Sequence, residues 1–284
     1  MKYHILYNPL SDNGHGLENS KAAENKLIGN DITKLDITTI DAKDYVLTKT
    51  GPDDVILICG GDGTLNRFVN DLEGCDLDRR IDFYSAGTGN DFLHDLGFAK
   101  GEIAENINIF LTNLPKVTVK GKTYRFFNGV GYGIDGYCCE VGDVMRQAGN
   151  TKINYAGIAI KGLLFHFKPA NATVTIDGKT TDYKKVWLAP TMKGRYYGGG
   201  MMPVPTQTRS AEDGLVSILV WHGSGKIRTL SIFPGIFKGE HIKHTKYCES
   251  FSGKEISVRF DRPCALQIDG ETITDVEEYT VTAG

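Results

Sequence analysis

The opening run Tyr3-His4-Ile5-Leu6-Tyr7 has the β-type composition of a short strand and stops at Asn8-Pro9, a turn signal. Over residues 17–29, Leu17, Ala22, Ala23 and Leu27 recur at helical spacing, and residues 36–40 read as a second strand. Residues 55–59, Val-Ile-Leu-Ile-Cys, form a continuous apolar run without polar alternation, which predicts a strand buried on both faces of a parallel sheet. The run ends in Gly60-Gly61-Asp62-Gly63-Thr64, after which Leu65, Phe68, Val69 and Leu72 fall at helical intervals. A further strand at 81–84 leads into Gly87-Thr88-Gly89-Asn90-Asp91. Strand and helix alternate throughout, which predicts a doubly wound α/β sheet with ligands at the strand C-termini.

Beyond about residue 117 the pattern changes to runs rich in β-branched and aromatic residues at 117–119, 124–127, 172–176, 185–189, 216–221, 255–260 and 265–268. These predict an antiparallel β domain. The exception is 153–167, where Ile153, Ala156, Ile160, Leu163, Leu164 and Phe167 repeat at helical intervals and predict one helix. The expected architecture is therefore α/β: a Rossmann-like, doubly wound nucleotide domain over 1–117, then a mainly antiparallel β-sandwich domain over 118–271. Residues 272–284 are expected to return to the first domain, and the active site to lie in the interdomain cleft. A length of 284 residues suits two domains.

Composition narrows the function. Hydrophobic residues at 40% and charged residues at 24% fit a packed globular chain and argue against long disorder. Lys+Arg of 32 against Asp+Glu of 35 leaves a net charge of −3, so no basic field is present to recruit nucleic acid. The six cysteines lack CxxC spacing and the chain opens without a signal peptide, which reads as reduced thiols in a cytoplasmic protein. No apolar stretch approaches the ~18–20 residues of a spanning helix, so membrane contact is expected to be peripheral. The 34 glycines gather in short runs, as ligand-binding turns do.

Glycine-rich loops after buried strands let backbone N–H groups approach phosphate without an intervening Cβ, and a following helix N-terminus adds a favourable dipole. Residues 60–64 depart from both GxxxxGK[ST] and GxGxxG by carrying an acid at the centre. An Asp among phosphate-binding amides would repel a nucleotide unless Mg²⁺ neutralised it, which points to a metal-nucleotide. The plainer alternative is a tight turn capped by Asp62.

Gly60-Gly61-Asp62-Gly63-Thr64 resembles the GGDGT signature shared by diacylglycerol kinases, sphingosine kinases and NAD kinases. Its companions, in order, are Asn8-Pro9, Gly87-Thr88-Gly89-Asn90-Asp91-Phe92, Gly131-Tyr132-Gly133-Ile134-Asp135, Gly198-Gly199-Gly200 with Pro203, Asp213-Gly214 and Asp269-Gly270-Glu271. The ensemble spans nearly the whole chain and is similar to the bacterial soluble diacylglycerol kinase branch. The resemblance implies a lipid kinase that moves the γ-phosphate of ATP onto a lipid hydroxyl at the inner face of the membrane, with diacylglycerol as first candidate. It implies nucleotide loops built from Asn8, Pro9 and Ser11, from Gly60, Gly61, Gly63, Thr64, Asn66 and Arg67, and from Gly87, Thr88 and Asn90. Thr39 is a looser match to a further nucleotide contact. It also implies Glu271 as general base with Asp62 as a second acid near the chemistry, and a structural Mg²⁺ held by Asp213 and the carbonyls of Ser210 and Leu215. A homodimer is compatible with it.

The chain departs from the family pattern at three places. The first loop runs Asn8-Pro9-Leu10-Ser11-Asp12 where the family has glycine last with a basic residue close behind, leaving His15 as the nearest cation. Arg67 stands where glutamate is common, and charge balance suggests that it compensates. Tyr196-Tyr197 precedes the glycine run without an evident role. Two other functions stay open. An NAD kinase shares GGDGT, but the downstream Asn-Glu pair and the glycine-serine stretch of that family are not found here. A nucleotide-binding protein without turnover is the reading that Asp12 and Arg67 motivate.

Overall fold

The computed structural model describes residues 1–75, 78–87, 89–150, 153–209 and 214–284, which fall into two compact units, Met1–Thr112 and Asn113–Gly284. The first unit runs β1 (Lys2–Tyr7), α1 (Ser11–Gly14), α2 (Gly16–Lys26), β2 (Asp31–Asp36), α3 (Ala42–Lys49), β3 (Val55–Gly60), α4 (Asp62–Asp71), β4 (Arg80–Ser85), α5 (Asp91–Asp95), β5 (Ile103–Ala104) and α6 (Asn108–Leu111). Its sheet order is β2-β1-β3-β4-β5, with β1 to β4 parallel and β5 antiparallel at the edge. The apolar run of β3 is buried along its whole length, and Ile5 and Leu57 pack with Ala23 and Leu27 of the α2 region.

The second strand lies earlier than the sequence suggests, at 31–36 rather than 36–40. Asp36 ends it: its carboxylate accepts from the Thr38 backbone N–H at 2.8 Å and the Thr38 hydroxyl at 2.7 Å, turning Ile37–Thr39 into one 3-10 turn. With β1 flanked by β2 on one side and β3 on the other, the chain order reverses between β1 and β3. This is the switch point at which open α/β sheets receive ligands.

The second unit holds β6 (Lys116–Val119), β7 (Lys122–Arg125), β8 (Gly129–Tyr132), α7 (Ile134–Gln147), α8 (Tyr155–Lys161), β9 (Ala170–Ile176), β10 (Lys179–Val186), β11 (Thr191–Met192), β12 (Val216–Trp221), α9 (Lys226–Ile232), β13 (Cys248–Gly253), β14 (Glu255–Ile268) and β15 (Glu271–Thr282). All pairings are antiparallel, in the order β13-β12-β11-β8-β14-β15-β6-β7, with β9 and β10 branching from β14. The early part of β14 pairs with β9 and the late part with β8, so one strand belongs to both halves of a sandwich. Tyr132 marks the core: its ring stacks on Phe260 at 3.9 Å and meets Tyr279 edge-on at 5.5 Å.

Four expectations change here. The runs at 255–260 and 265–268 are one strand, β14, whose register shifts between Arg259 and Cys264 absorb Pro263. The run at 185–189 is not a strand: β10 ends at Val186 after a bulge, and Leu188 makes single bridges to Gly133 and Trp221. Residues 272–284 stay with the second unit, because β15 is hydrogen-bonded to β14 on one side and β6 on the other. The helix expected over 153–167 is α8 followed by a wider π turn, Gly162–His166, and α7 is a 14-residue helix that the pattern did not reveal.

Candidate functional site

Three loops of the first unit leave the C-terminal edge of its sheet side by side. Asn8, just after β1, donates its backbone N–H to the Cys59 carbonyl at 3.0 Å, and its side-chain Nδ2 donates to Thr64 Oγ1 at 3.0 Å. Its Oδ1 accepts from Leu10 N–H at 3.0 Å and its carbonyl from the Ser11 hydroxyl at 2.8 Å, so the turn through Pro9 is fixed by its own polar groups. Asn8 thus ties the first loop to the opening turn of α4. Gly16 lets α2 start against this loop, since a Cβ there would stand 1.9 Å from the Asn8 carbonyl oxygen.

The second and third loops meet through glycine. A Cβ on Gly87 would lie 2.6 Å from the Gly61 Cα, and the Ala86 N–H donates to the Gly60 carbonyl at 2.8 Å. The backbone is therefore bare where α4 begins; the N–H groups of Thr64 and Leu65 donate to the Gly61 carbonyl at 2.9 and 3.2 Å, and the N-terminus of this ten-residue helix carries the positive end of its dipole. Nearby, the Ser85 hydroxyl and Asn90 Oδ1 are buried and have no hydrogen-bond partner among the described residues. A phosphate is the ligand that a bare glycine cradle with orphaned polar atoms can accept.

Asp62 has a definite structural task here. Its Oδ2 accepts from the backbone N–H of Asp91 at 3.0 Å and of Phe92 at 3.4 Å, the first residues of α5. The acid at the centre of the glycine motif thereby caps a neighbouring helix and clamps the two glycine loops together. The expected nucleotide residues do not all join this cluster. Thr39 is exposed at the end of the Ile37–Thr39 turn, its hydroxyl donated to the Asp36 carbonyl at 2.9 Å. Asn66 is buried and accepts from Asn70 Nδ2 through its carbonyl and its Oδ1. Arg67 points to solvent on α4, one turn from Asp71, whose carboxyl burial pushes up and Arg67 pulls down. Thr88 lies outside the described residues.

The cation missing from the first loop comes from elsewhere. Lys100 Nζ lies 3.3 Å from Asp12, while Asn19 Nδ2 donates to Asp12 at 3.2 Å and to the Ala86 carbonyl at 3.4 Å. His15, the nearest cation in sequence, pairs instead with Glu18 at 2.9 Å. Lys100 could not be found from the motif because nearly ninety positions separate it from Asp12.

In the second unit, Asp269-Gly270 forms the turn between β14 and β15, and Glu271 stands exposed as the first residue of β15. The turn is anchored strongly. Asp269 is buried and accepts backbone N–H groups from Phe127, Asn128 and Gly129 at 2.8, 2.9 and 2.9 Å, and Gln267 Oε1 accepts from Gly270 N–H at 2.7 Å. Glu271 is thus an exposed carboxylate on an anchored turn. One electrostatic neighbour is Cys139 of α7, a thiol that burial pushes up to about 12.

Asp135, at the start of α7, is buried with neither oxygen in a well-formed hydrogen bond among the described residues, and burial lifts its carboxyl to about 6. Tyr197 and Gln267 lie close enough to pull the other way, and the buried Tyr197 phenol is pushed well above its usual range. Tyr197 thereby acquires an account: it pairs with Met201 across Gly198, Gly199 and Gly200, all with positive φ, and turns its ring toward Asp135. Of the expected metal ligands, Ser210 and Asp213 lie outside the described residues, and the Leu215 carbonyl accepts from Gln207 Nε2 at 3.1 Å. Among the described residues, no group of three or more His, Cys, Asp or Glu is arranged to hold a metal ion.

Residues 2–120 match the model of the diacylglycerol kinase catalytic domain, and residues 128–281 match the YegS C-terminal NAD kinase beta sandwich-like domain. A diacylglycerol kinase of Mycobacterium tuberculosis (strain ATCC 25618 / H37Rv) is 26% identical over 253 residues, covering 85% of this chain and 80% of its own. A Staphylococcus aureus (strain MSSA476) protein provisionally named as a lipid kinase is 29% identical over 232 residues, covering 77% and 70%. A crystal structure of a Bacillus anthracis str. Sterne diacylglycerol kinase superposes with a TM-score of 0.61 at 18% identity, covering 100% of this chain and 94% of that one, a likeness of fold. The chain belongs to the lipid kinase family that joins a diacylglycerol kinase catalytic domain to a YegS-type C-terminal β-sandwich-like domain.

Proposed function

We propose that the protein transfers the γ-phosphate of ATP to the free hydroxyl of diacylglycerol, giving phosphatidic acid and ADP. The observation that carries this reading is the backbone contact of Gly61 with Gly87 beside the β1/β3 switch point, a phosphate cradle that no side chain can enter. Asn8 and Thr64 hold the cradle's shape, and the N-terminus of α4 supplies its positive end. Lys100 offsets the Asp12 carboxylate, so the first loop does not present net negative charge to a polyphosphate. That pairing removes the main reason to read the chain as a binder without turnover.

Bound Mg²⁺ would screen the phosphates from Asp62 and draw charge from the reacting phosphorus. For the acceptor, Glu271 is the base: it takes the hydroxyl proton as the oxygen attacks in line, and the rigid Asp269 turn keeps its position. Asp135, with its raised carboxyl, is the buried acid beneath that region. A panel assay tests the reading: the full chain with Mg·ATP is offered diacylglycerol, sphingosine and NAD in detergent micelles, and the phosphorylated product is identified. Labelled phosphatidic acid alone supports it. Phosphorylated NAD, or ATP binding without any labelled product, contradicts it.

A further inference from the structure

The second unit carries an apolar and cationic surface that the phosphotransfer site does not use. α8 and the π turn after it present Ile160, Leu164 and Phe165 to solvent, with Phe165 72% exposed. The wider turn explains why: Phe167 N–H bonds back to the Gly162 carbonyl at 2.8 Å, which keeps Leu163 and Phe167 in the core and turns the two residues after Leu163 outward. α9 packs beside the turn, and Lys226 Nζ donates to the Leu164 carbonyl at 2.9 Å, which brings the 86%-exposed Ile227 to the same patch. Exposed side chains of this size clustered together mark an interaction surface.

Charge decides what the surface fits. In a chain of net charge −3, no Asp or Glu occurs between Asp143 and Asp177 or between Asp213 and Glu240, and both acid-free stretches meet here. Lys161 and Lys168 on one stretch and Lys226 and Arg228 on the other rim the apolar residues, all exposed. An apolar ridge rimmed by these cations is complementary to an anionic lipid surface, where the rings and aliphatic chains enter the headgroup boundary and the cations meet phosphates. α7 packs against the π turn and also against β14 and β15, the hairpin that carries Glu271.

We infer that the ridge formed by the π turn and the start of α9 docks this protein on anionic bilayers, Phe165 and Ile227 inserting and Lys161, Lys168, Lys226 and Arg228 binding lipid phosphates. Docking is independent of the lipid kinase reading, since it needs neither nucleotide nor acceptor.

The test is co-sedimentation of the full chain with phosphatidylcholine vesicles made with and without phosphatidylglycerol, in the absence of ATP and diacylglycerol. The parent chain is expected to partition onto the anionic vesicles and to be released by salt, and Phe165→Ser/Ile227→Ser to lose about tenfold in partitioning with an unchanged melting temperature. Lys161→Gln/Lys168→Gln is expected to bind more weakly and with less salt dependence, and it carries the test by itself if the serine pair does not fold. Absence of binding by the parent chain, or equal binding by all three proteins, overturns the inference. So does a parent dimer in analytical ultracentrifugation that the serine pair dissociates while vesicles leave it intact, because the ridge is then a protein interface. Phosphorylation of a water-soluble short-chain diacylglycerol is measured in parallel and is expected to be equal in the parent and the serine pair. Its failure in both alongside normal vesicle binding would remove the kinase reading and leave the docking surface standing.

Discussion

Gly61 and Gly87 meet backbone to backbone: a Cβ at Gly87 would stand 2.6 Å from the Gly61 Cα, so the Gly87 loop cannot accept a side chain without moving away from Gly61. Gly87→Ala therefore forces the loops apart at the phosphate cradle. Overpacking of this kind costs about 1–3 kcal/mol, and the geometry of the cradle is lost with it. We expect a lower melting temperature and at least a tenfold weaker ATP affinity by calorimetric titration. Parent-like ATP affinity in the variant would separate the glycine contact from nucleotide binding.

Lys100 and Asp12 predict effects of opposite sign. Both side chains reach solvent, so their ion pair adds about 0–1 kcal/mol to stability and melting curves should hardly move. Lys100→Ala leaves the Asp12 charge unbalanced beside the first loop and should weaken ATP binding roughly 3- to 10-fold at low salt, an effect that shrinks at high salt. Asp12→Asn removes the repelling charge and should tighten binding. Titrations at two salt concentrations check this, and equal affinities in parent and both variants would exclude a role for the pair.

Asp62 caps α5, and substitutions can part that task from its proposed one beside Mg²⁺. Asp62→Asn keeps an oxygen able to accept from the Asp91 and Phe92 amides, so stability should change little while turnover and its Mg²⁺ dependence change. Asp62→Ala removes the cap of α5 as well and should cost a further ~1–2 kcal/mol in a denaturant melt. If both variants melt alike and retain the parent's Mg²⁺ titration, Asp62 is neither cap nor metal partner.

Asp135 sets a pH dependence. Burial pushes its folded carboxyl up to about 6 from an ordinary value of 3.8, so the folded state holds the proton more tightly than the unfolded state. Stability from this group is present at acid pH, falls as pH rises through the interval between those values, and is absent above it. Asp135→Asn should flatten that slope, melting like the parent near pH 4 and above it near pH 7.5 by up to about 3 kcal/mol. Thermal melts across this range check the sign, and parallel curves would contradict it.

The first unit was legible because β1, β3 and β4 are buried along most of their length. The run of β3 needs no partner to be recognised, and Leu65, Phe68 and Val69 declare α4. The edge strand β2 was displaced in the sequence reading because every residue in it is at least partly exposed, leaving its limits to the Asp36 turn. α7 stayed hidden for a different reason. Its Gly136 looks like a helix breaker, yet a Cβ there would stand 1.9 Å from the Ala265 carbonyl, so glycine serves close packing of the helix on β14. The glycine loops could be read because each is one short run in the sequence, whereas Lys100 and the buried Asp135–Tyr197 pair depend on pairings across long stretches of chain.

The central claim is that Glu271 acts as base in phosphoryl transfer from ATP to a lipid hydroxyl. Glu271→Gln keeps the shape of the side chain and leaves the Asp269 anchor of the hairpin in place, so folding and ATP affinity should match the parent. The decisive measurement is the rate of label transfer from γ-labelled ATP to diacylglycerol by parent and variant at saturating ATP. We predict labelled phosphatidic acid from the parent and a rate lower by ~10²–10⁴-fold from the variant. Equal rates would remove Glu271 from the mechanism, and no labelled lipid from the parent would contradict the account as a whole.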